Sequence, residues 1–203
     1  MAVTTSISNV SLAFQEIDPL TGLLRSGVIS RSVNQAASDS ASDTVNGYSF
    51  PSTGANLQLG NGGNDTLISN PNTSAPAFLR GSSNTTASNT EIDTLVGSNT
   101  SRDHFLLYGL YKGSGYAIIK SFDSSKDYLY FSRGTGGQKL WTRWDGTQSI
   151  SVGLSTSSGL FNGQTSTFIR SAGGDLLAVL QGVNESLQSL YDSGSLRLTG
   201  LTA

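Results

Sequence analysis

Gly60-Asn61-Gly62-Gly63-Asn64-Asp65-Thr66-Leu67-Ile68 decides how the rest of the chain is read. Its glycines let the backbone turn tightly and leave carbonyl oxygens open, Asp65 supplies a carboxylate, and Leu67 is the apolar residue that an emerging strand turns inward. The stretch predicts a turn followed by a short strand, one rung of a coiled parallel sheet. A rung with two or three inward side chains cannot hold a fold alone, so it must be stacked on others.

Working outward, the step Asp, any residue, apolar residue recurs in Asp43-Thr44-Val45, Asp93-Thr94-Leu95 and Asp103-His104-Phe105, at uneven spacing. Residues 69–91 are rich in Ser, Asn, Thr and Pro and read as loop, except that Ala77-Phe78-Leu79 suits one more rung. Tyr116-Ala117-Ile118-Ile119 and Tyr128-Leu129-Tyr130-Phe131 are bulkier and are expected to close the end of the stack. Two antiparallel hairpins should follow, one around Asp145-Gly146 between Leu140 and Val152, the other around Gly173-Gly174 between Phe168-Ile169 and Leu176 to Leu180. A short helix capped by Asn184 would put Leu187, Leu190 and Tyr191 on one face and stop at Gly194, before a last strand from Ser195. Upstream, alternation from Val3 to Phe14 and the apolar residues Leu24, Val28 and Ile29 predict a hairpin turning at Asp18-Pro19-Leu20-Thr21-Gly22. Residues 30–43 have linker composition. The chain thus divides into an N-terminal strand segment, 1–35, and a stacked all-β domain, 36–203, closed by antiparallel hairpins and carrying one short C-terminal helix.

Composition supports many short strands. The 203 residues contain 24 glycines, and apolar residues make up 36% against 13% charged. A net charge of -2 offers no basic field for nucleic acid or anionic membrane. There is no cysteine, hence no disulfide or thiolate chemistry. The longest apolar run of the C-terminal half, Leu176 to Leu180, is far shorter than a membrane span, and Met-Ala-Val-Thr-Thr-Ser lacks the basic and apolar regions of a secretory leader. Enzymatic chemistry is not expected. His104 is the single histidine and reads as a strand surface residue, and none of Glu16, Glu91 and Glu185 follows a histidine in the zinc-protease pattern. Trp141, Trp144, Tyr108, Tyr111 and Tyr116 read as a closing core layer in preference to a carbohydrate platform.

The residues at Gly60 to Ile68 resemble the nonapeptide Gly-Gly-x-Gly-x-Asp-x-(large apolar)-x of RTX, or hemolysin-type, calcium-binding proteins, with Asn61 in place of the second glycine. Ala117-Ile118-Ile119-Lys120-Ser121-Phe122-Asp123-Ser124-Ser125-Lys126-Asp127-Tyr128-Leu129 resembles the segment that closes many RTX β-rolls, notably in secreted cyanobacterial proteins, and Leu176 to Asn184 resembles the segment that follows it there. The resemblance spans residues 43–185. It implies a right-handed parallel β-roll, calcium between glycine-rich turns, and type I export directed by an uncleaved C-terminal signal, which would account for the missing leader.

Calcium takes six to eight hard oxygen ligands. The candidate ligands are Gly60, Gly62, Asn64 and Asp65 in the first turn, Asp93 in a facing turn, and Asp123 and Asp127 around a tight turn between two strong strands. The turn leading to Asp43 is the other candidate to face Asp65. Without metal, Asn61, Asn64 and Asp65 could hold the same turn by hydrogen bonds, and Asp93 and Asp103 read first as turn caps.

The expected function is that of a secreted structural protein that assembles with copies of itself, with calcium, into an extracellular filament or surface layer. The N-terminal segment could complete a neighbour's sheet by strand addition. Two alternatives stay open: a monomeric calcium-dependent adhesin that binds cell-surface polysaccharide, and a remnant secretion domain of a toxin or enzyme.

Overall fold

A computed structural model of the chain describes residues 9–17, 24–35, 41–47, 56–82, 90–107, 111, 113–132 and 153–199. In chain order its strands are β1 (Asn9–Ile17), β2 (Leu24–Gln35), β3 (Thr44–Asn46), β4 (Asn56–Asn61), β5 (Thr66–Ile68), β6 (Ala77–Ser82), β7 (Ile92–Val96), β8 (Asp103–Leu106), β9 (Tyr116–Lys120), β10 (Tyr128–Ser132), β11 (Leu154–Phe161), β12 (Gln164–Ser171) and β13 (Leu176–Leu180). A helix α1 (Leu187–Asp192) and a strand β14 (Leu196–Thr199) follow. The described chain is mostly β.

From β3 to β10 the chain alternates between two sheets. Within that span the odd-numbered strands belong to one sheet, called odd-numbered although β12 also joins it, in the order β11-β12-β13-β9-β7-β5-β3; the even-numbered strands belong to the other, which β1 and β2 close on itself as β1-β14-β10-β8-β6-β4-β2. Neighbours from β3 to β10 pair in parallel within each sheet, as do β9 with β13 and β10 with β14. The register aligns like with like. Val45, Leu67, Leu95, Ile119 and Leu180 form one inward column, and Leu79, Phe105, Leu129 and Leu196 form the column of the other sheet. All nine belong to one buried cluster. Each fully buried leucine contributes about 1.5–3 kcal/mol relative to exposure, and truncating one, as in Leu95→Ala, costs about 2–5 kcal/mol.

Strands β4, β6, β8 and β10 of the even-numbered sheet are buried on both faces. Leu57, Phe78, Leu106 and Tyr130 form a second cluster, with Leu59 and Tyr128 packed on it, at positions that alternate with the first-core residues. Burial on both faces explains why Ala77-Phe78-Leu79 and Tyr128 to Phe131 are uninterrupted apolar or aromatic runs. His104, expected at the surface, stands in this second layer. Its ring stacks on Phe78 at 3.8 Å, and its Nδ1 lies 2.9 Å from the Tyr130 hydroxyl.

Several expectations are corrected. Tyr116 to Ile119 and Tyr128 to Phe131 are β9 and β10, one rung inside the stack, because β13 and β14 pair on their far sides. Asp103-His104-Phe105 belongs to the opposite sheet from the other Asp steps. The strand before the linker runs on to Gln35, since β2 pairs with β4 through residues 32–35. The N-terminal pair is built into its own chain's sheet, β2 beside β4 and β1 beside β14. The hairpin at Gly173-Gly174 is present as β12 and β13, while the one around Asp145 lies outside the described residues, as do Trp141, Trp144 and Tyr108. The helix is capped by Ser186, whose hydroxyl accepts the Ser189 amide, and not by Asn184. Gly194 follows it at φ 74, the left-handed conformation that ends a helix. Leu190 and Tyr191 lock it to the main core.

Candidate functional site

Asp43, Asp65 and Asp93 stand at equivalent positions where the chain crosses into the odd-numbered sheet. The carbonyl of such a residue joins the sheet ladder, as Thr66 donates to Asp43 O at 2.8 Å and Thr94 to Asp65 O at 2.7 Å. Its amide meets no strand and, buried, needs an acceptor. The carboxylate one rung on supplies it: Asp43 N–H donates to Asp65 Oδ1 and Asp65 N–H to Asp93 Oδ1, each at 2.8 Å. At the other crossing, into the even-numbered sheet, Asp103 N–H donates to Asp127 Oδ1 at 2.9 Å in the same way. Two columns of aspartates thus stitch successive rungs together.

Glycines make room for the carboxylates. A Cβ on Gly60 would lie 2.0 Å from Gly81 O and 2.7 Å from Asp65 Oδ2. One on Gly81 would lie 2.2 Å from Asp93 Oδ2 and 2.4 Å from the Tyr111 hydroxyl. The first glycine of the nonapeptide is therefore required by close approach to the next strand, and positive φ falls at Asn61 (74) and Gly63 (109).

The carboxylates differ in how many of their oxygens are used. Asp93 is filled by the Asp65 amide and the Tyr111 hydroxyl, the latter at 2.7 Å. Asp103 takes the Ser98 amide and the hydroxyls of Ser69 and Ser101. Asp127 takes the amides of Asp103 and Asp123. Asp65 Oδ2, Asp43 Oδ2 and Glu91 Oε2, by contrast, are buried with no hydrogen-bond donor. Glu91 Oε1 accepts the Gly63 amide at 2.8 Å, so Glu91 reaches the same turn that delivers Asp65.

Burial raises Asp65, Asp93, Asp103 and Asp127. The Asp65 carboxyl is pushed up to about 7 by desolvation, against the pull of the Asp43 amide, with further upward pressure from Asp93, Asp43 and Glu91. Desolvation likewise takes Asp93 to about 6 and Asp127 to about 7. Asp103 is raised by burial too. Tyr111, fully enclosed beside Asp93, is pushed well above its ordinary value.

The predicted ligands separate accordingly. Gly60, Gly62, Asn64 and Asp65 share one turn, but the Asn64 side-chain oxygen is spent on the Ile92 amide at 2.8 Å. Asp93 lies one rung on with both oxygens bonded. Asp123 and Asp127 lie at the other crossing. There Asp123 Oδ1 accepts the Ser125 amide and hydroxyl, and its Oδ2 is 3.5 Å from Lys126 Nζ. The Ser125 bonds hold the Asp123 carboxyl below its ordinary range. Among the described residues no three acidic or histidine side chains gather as a metal cage. The unused oxygens of Asp65 and Glu91 at a glycine turn fit a hard cation; the saturated carboxylates of Asp93 and Asp127 do not. Glu91 was missing from the sequence-derived ligand set, although its signal was present. The offset that aligns Asp65 with Asp93 also aligns Gly63 with Glu91.

Comparison with protein-family models and with curated proteins returned no match. No helix among the described residues is long and apolar enough to cross a membrane.

Proposed function

We propose that the chain is a right-handed β-roll of the RTX type that works outside the cell as a non-enzymatic structural protein, takes up calcium at its acidic turn, and assembles with copies of itself into a filament or layer. The alternation of parallel rungs between two sheets supports the roll. The observation that carries the calcium reading is the pair of buried, donor-free oxygens, Asp65 Oδ2 and Glu91 Oε2, at the glycine turn. Bound there, calcium would supply positive charge to the Asp65 carboxylate, whose ionisation burial otherwise opposes, with turn carbonyls such as those of Gly60 and Gly62 completing its oxygen shell. Asp93 and Asp127 accept amides of the preceding rung instead and keep the rungs in register, while Asp123 caps its own turn through Ser125.

Thermal unfolding in calcium, magnesium and EDTA tests the calcium half. Calcium should raise the midpoint, and Asp65→Asn combined with Glu91→Gln should remove that response. An unchanged response in the double variant would refute the site. Electron microscopy and light scattering with and without calcium test assembly; particles no larger than a dimer in both conditions would overturn it. Calcium-dependent retention on polysaccharide by a non-assembling chain would favour the adhesin.

A further inference from the structure

β11 is the terminal strand of the odd-numbered sheet, and among the described residues it pairs only with β12. The even-numbered sheet closes on itself and has no edge. The opposite edge, β3, is three residues long, and Asn46 within it is already engaged. β11 is eight residues long. Edge strands are ordinarily blunted by charge, proline or a bulge. From Gly153 to Ile169 there is no charged residue and no proline, and the β11 register with β12 runs unbroken from Leu154↔Ser171 to Phe161↔Gln164. Leu160 is 77% exposed, the one large apolar side chain so placed among the described residues.

The sequence of this edge indicates its occupant. Leu154-Ser155-Thr156-Ser157-Ser158-Gly159-Leu160 reads nearly the same in both directions, with leucine at each end and hydroxyl residues around a central serine. Self-complementarity of that kind is what a two-fold axis demands of an interface. We propose that β11 pairs antiparallel with β11 of a second copy about an axis through Ser157, joining two odd-numbered sheets into one. In this register Leu160 of each chain lies opposite Leu154 of the other, Thr156 opposite Ser158, and Ser155 opposite Gly159. Leu154 packs on the main core, and alternation puts Leu160 on the same face. The exposed leucine therefore extends that core across the interface. The contact is uncharged, so it forms without a counter-charged partner and resists salt.

One such edge per chain closes at a dimer. This deepens the assembly reading above and limits it: a filament needs a second, different contact, and the dimer itself does not need calcium.

Sedimentation of the full chain over a concentration series, in EDTA and in calcium, should show a monomer–dimer equilibrium in both. Ser157→Lys, an exposed position, sets two like charges on the axis and should leave a folded monomer. Mixing it with Ser157→Glu should restore the dimer. In a chain without native cysteine, Ser157→Cys should form an intermolecular disulfide under mild oxidation, because residues directly opposite have Cα atoms about 4.5–5.5 Å apart. Thr165→Cys, one strand in from the edge, should not. A monomer at every concentration, or a dimer indifferent to Ser157→Lys, would overturn the proposal. Calcium-dependent particles in a chain whose Ser157 variants never dimerise would overturn the β11 contact while sparing the assembly reading. A β11 dimer that never grows would do the reverse.

Discussion

The two aspartate columns use one residue type in one geometry and arrive at different states. At the crossing into the even-numbered sheet, Asp103 and Asp127 have every carboxylate oxygen occupied by serine hydroxyls or amides. At the crossing into the odd-numbered sheet, Asp93 is filled by Asp65 and Tyr111, while Asp65 and Asp43 each keep an oxygen without a donor and Glu91 adds a third. The same ladder is thus finished as a joint at one corner and left open at the other. The difference lies in the neighbours: Ser69, Ser98 and Ser101 surround Asp103, whereas the environment of Asp65 is other carboxylates and a glycine strand.

Asp127→Ala should be the most damaging test of this contrast. It strands the buried amide of Asp103 and the half-buried amide of Asp123, at about 1–3 kcal/mol for the first and less for the second, so a total of about 3 kcal/mol should appear in urea unfolding. A loss no greater than that of an exposed substitution would show that the closed column is not a joint. The next effect is pH. Asp65, Asp93 and Asp127 bind protons more tightly folded than unfolded, where the ordinary value is 3.8. Each contribution is therefore complete below about pH 4 and is lost as pH rises through about 6 to 7, by at most about 3–4 kcal/mol per group in calcium-free buffer. Calcium should flatten the part of this slope owed to Asp65 and leave the part owed to Asp127. A slope that calcium abolishes altogether, or not at all, would erase the distinction between the columns.

Tyr111→Phe should cost about 1–2 kcal/mol above pH 7, because it leaves the second oxygen of Asp93 as bare as that of Asp65. The cost should shrink near pH 5, where that carboxyl takes up a proton, and denaturant curves at the two pH values measure the ratio. Asp65→Asn should be smallest. The amide oxygen can still accept from Asp43, so without calcium stability should change by about 1 kcal/mol or less above pH 7, while the calcium-dependent gain falls.

Much of this was legible from the Asp-x-apolar steps, since Asp43, Asp65 and Asp93 mark rungs whose leucines or valine fall in one column. Asp103 was grouped with them because a local pattern does not say which sheet a strand joins; only the register does. The bulk of Tyr128 and Phe131 suggested an end cap, whereas strands buried on both faces demand such runs in mid-stack. β11 escaped notice although Asn162-Gly163 supplies a two-residue turn with both φ positive, at 48 and 77. Its Ser and Thr show no apolar alternation, because its outer edge and much of its surface face no core. Glu91 was invisible as a ligand until the offset between rungs put it beside Gly63. The open oxygens of Asp65 and Glu91 depend on what else is near, which spacing alone does not reveal.

Closure of the even-numbered sheet has a consequence for how the molecule is made. Glu16 and Ile17 pair with Thr199 and Leu198, so strands from the two ends of the described chain lie side by side. The intervening rungs can stack one upon another as they emerge, each contact local to its neighbour. The final seam cannot form until the last strand exists, and it closes a loop of nearly the full described length. Emergence of β14 is thereby built into the folding reaction as the step that closes this sheet, and a chain cut before β14 keeps β1 without the neighbour that seals it.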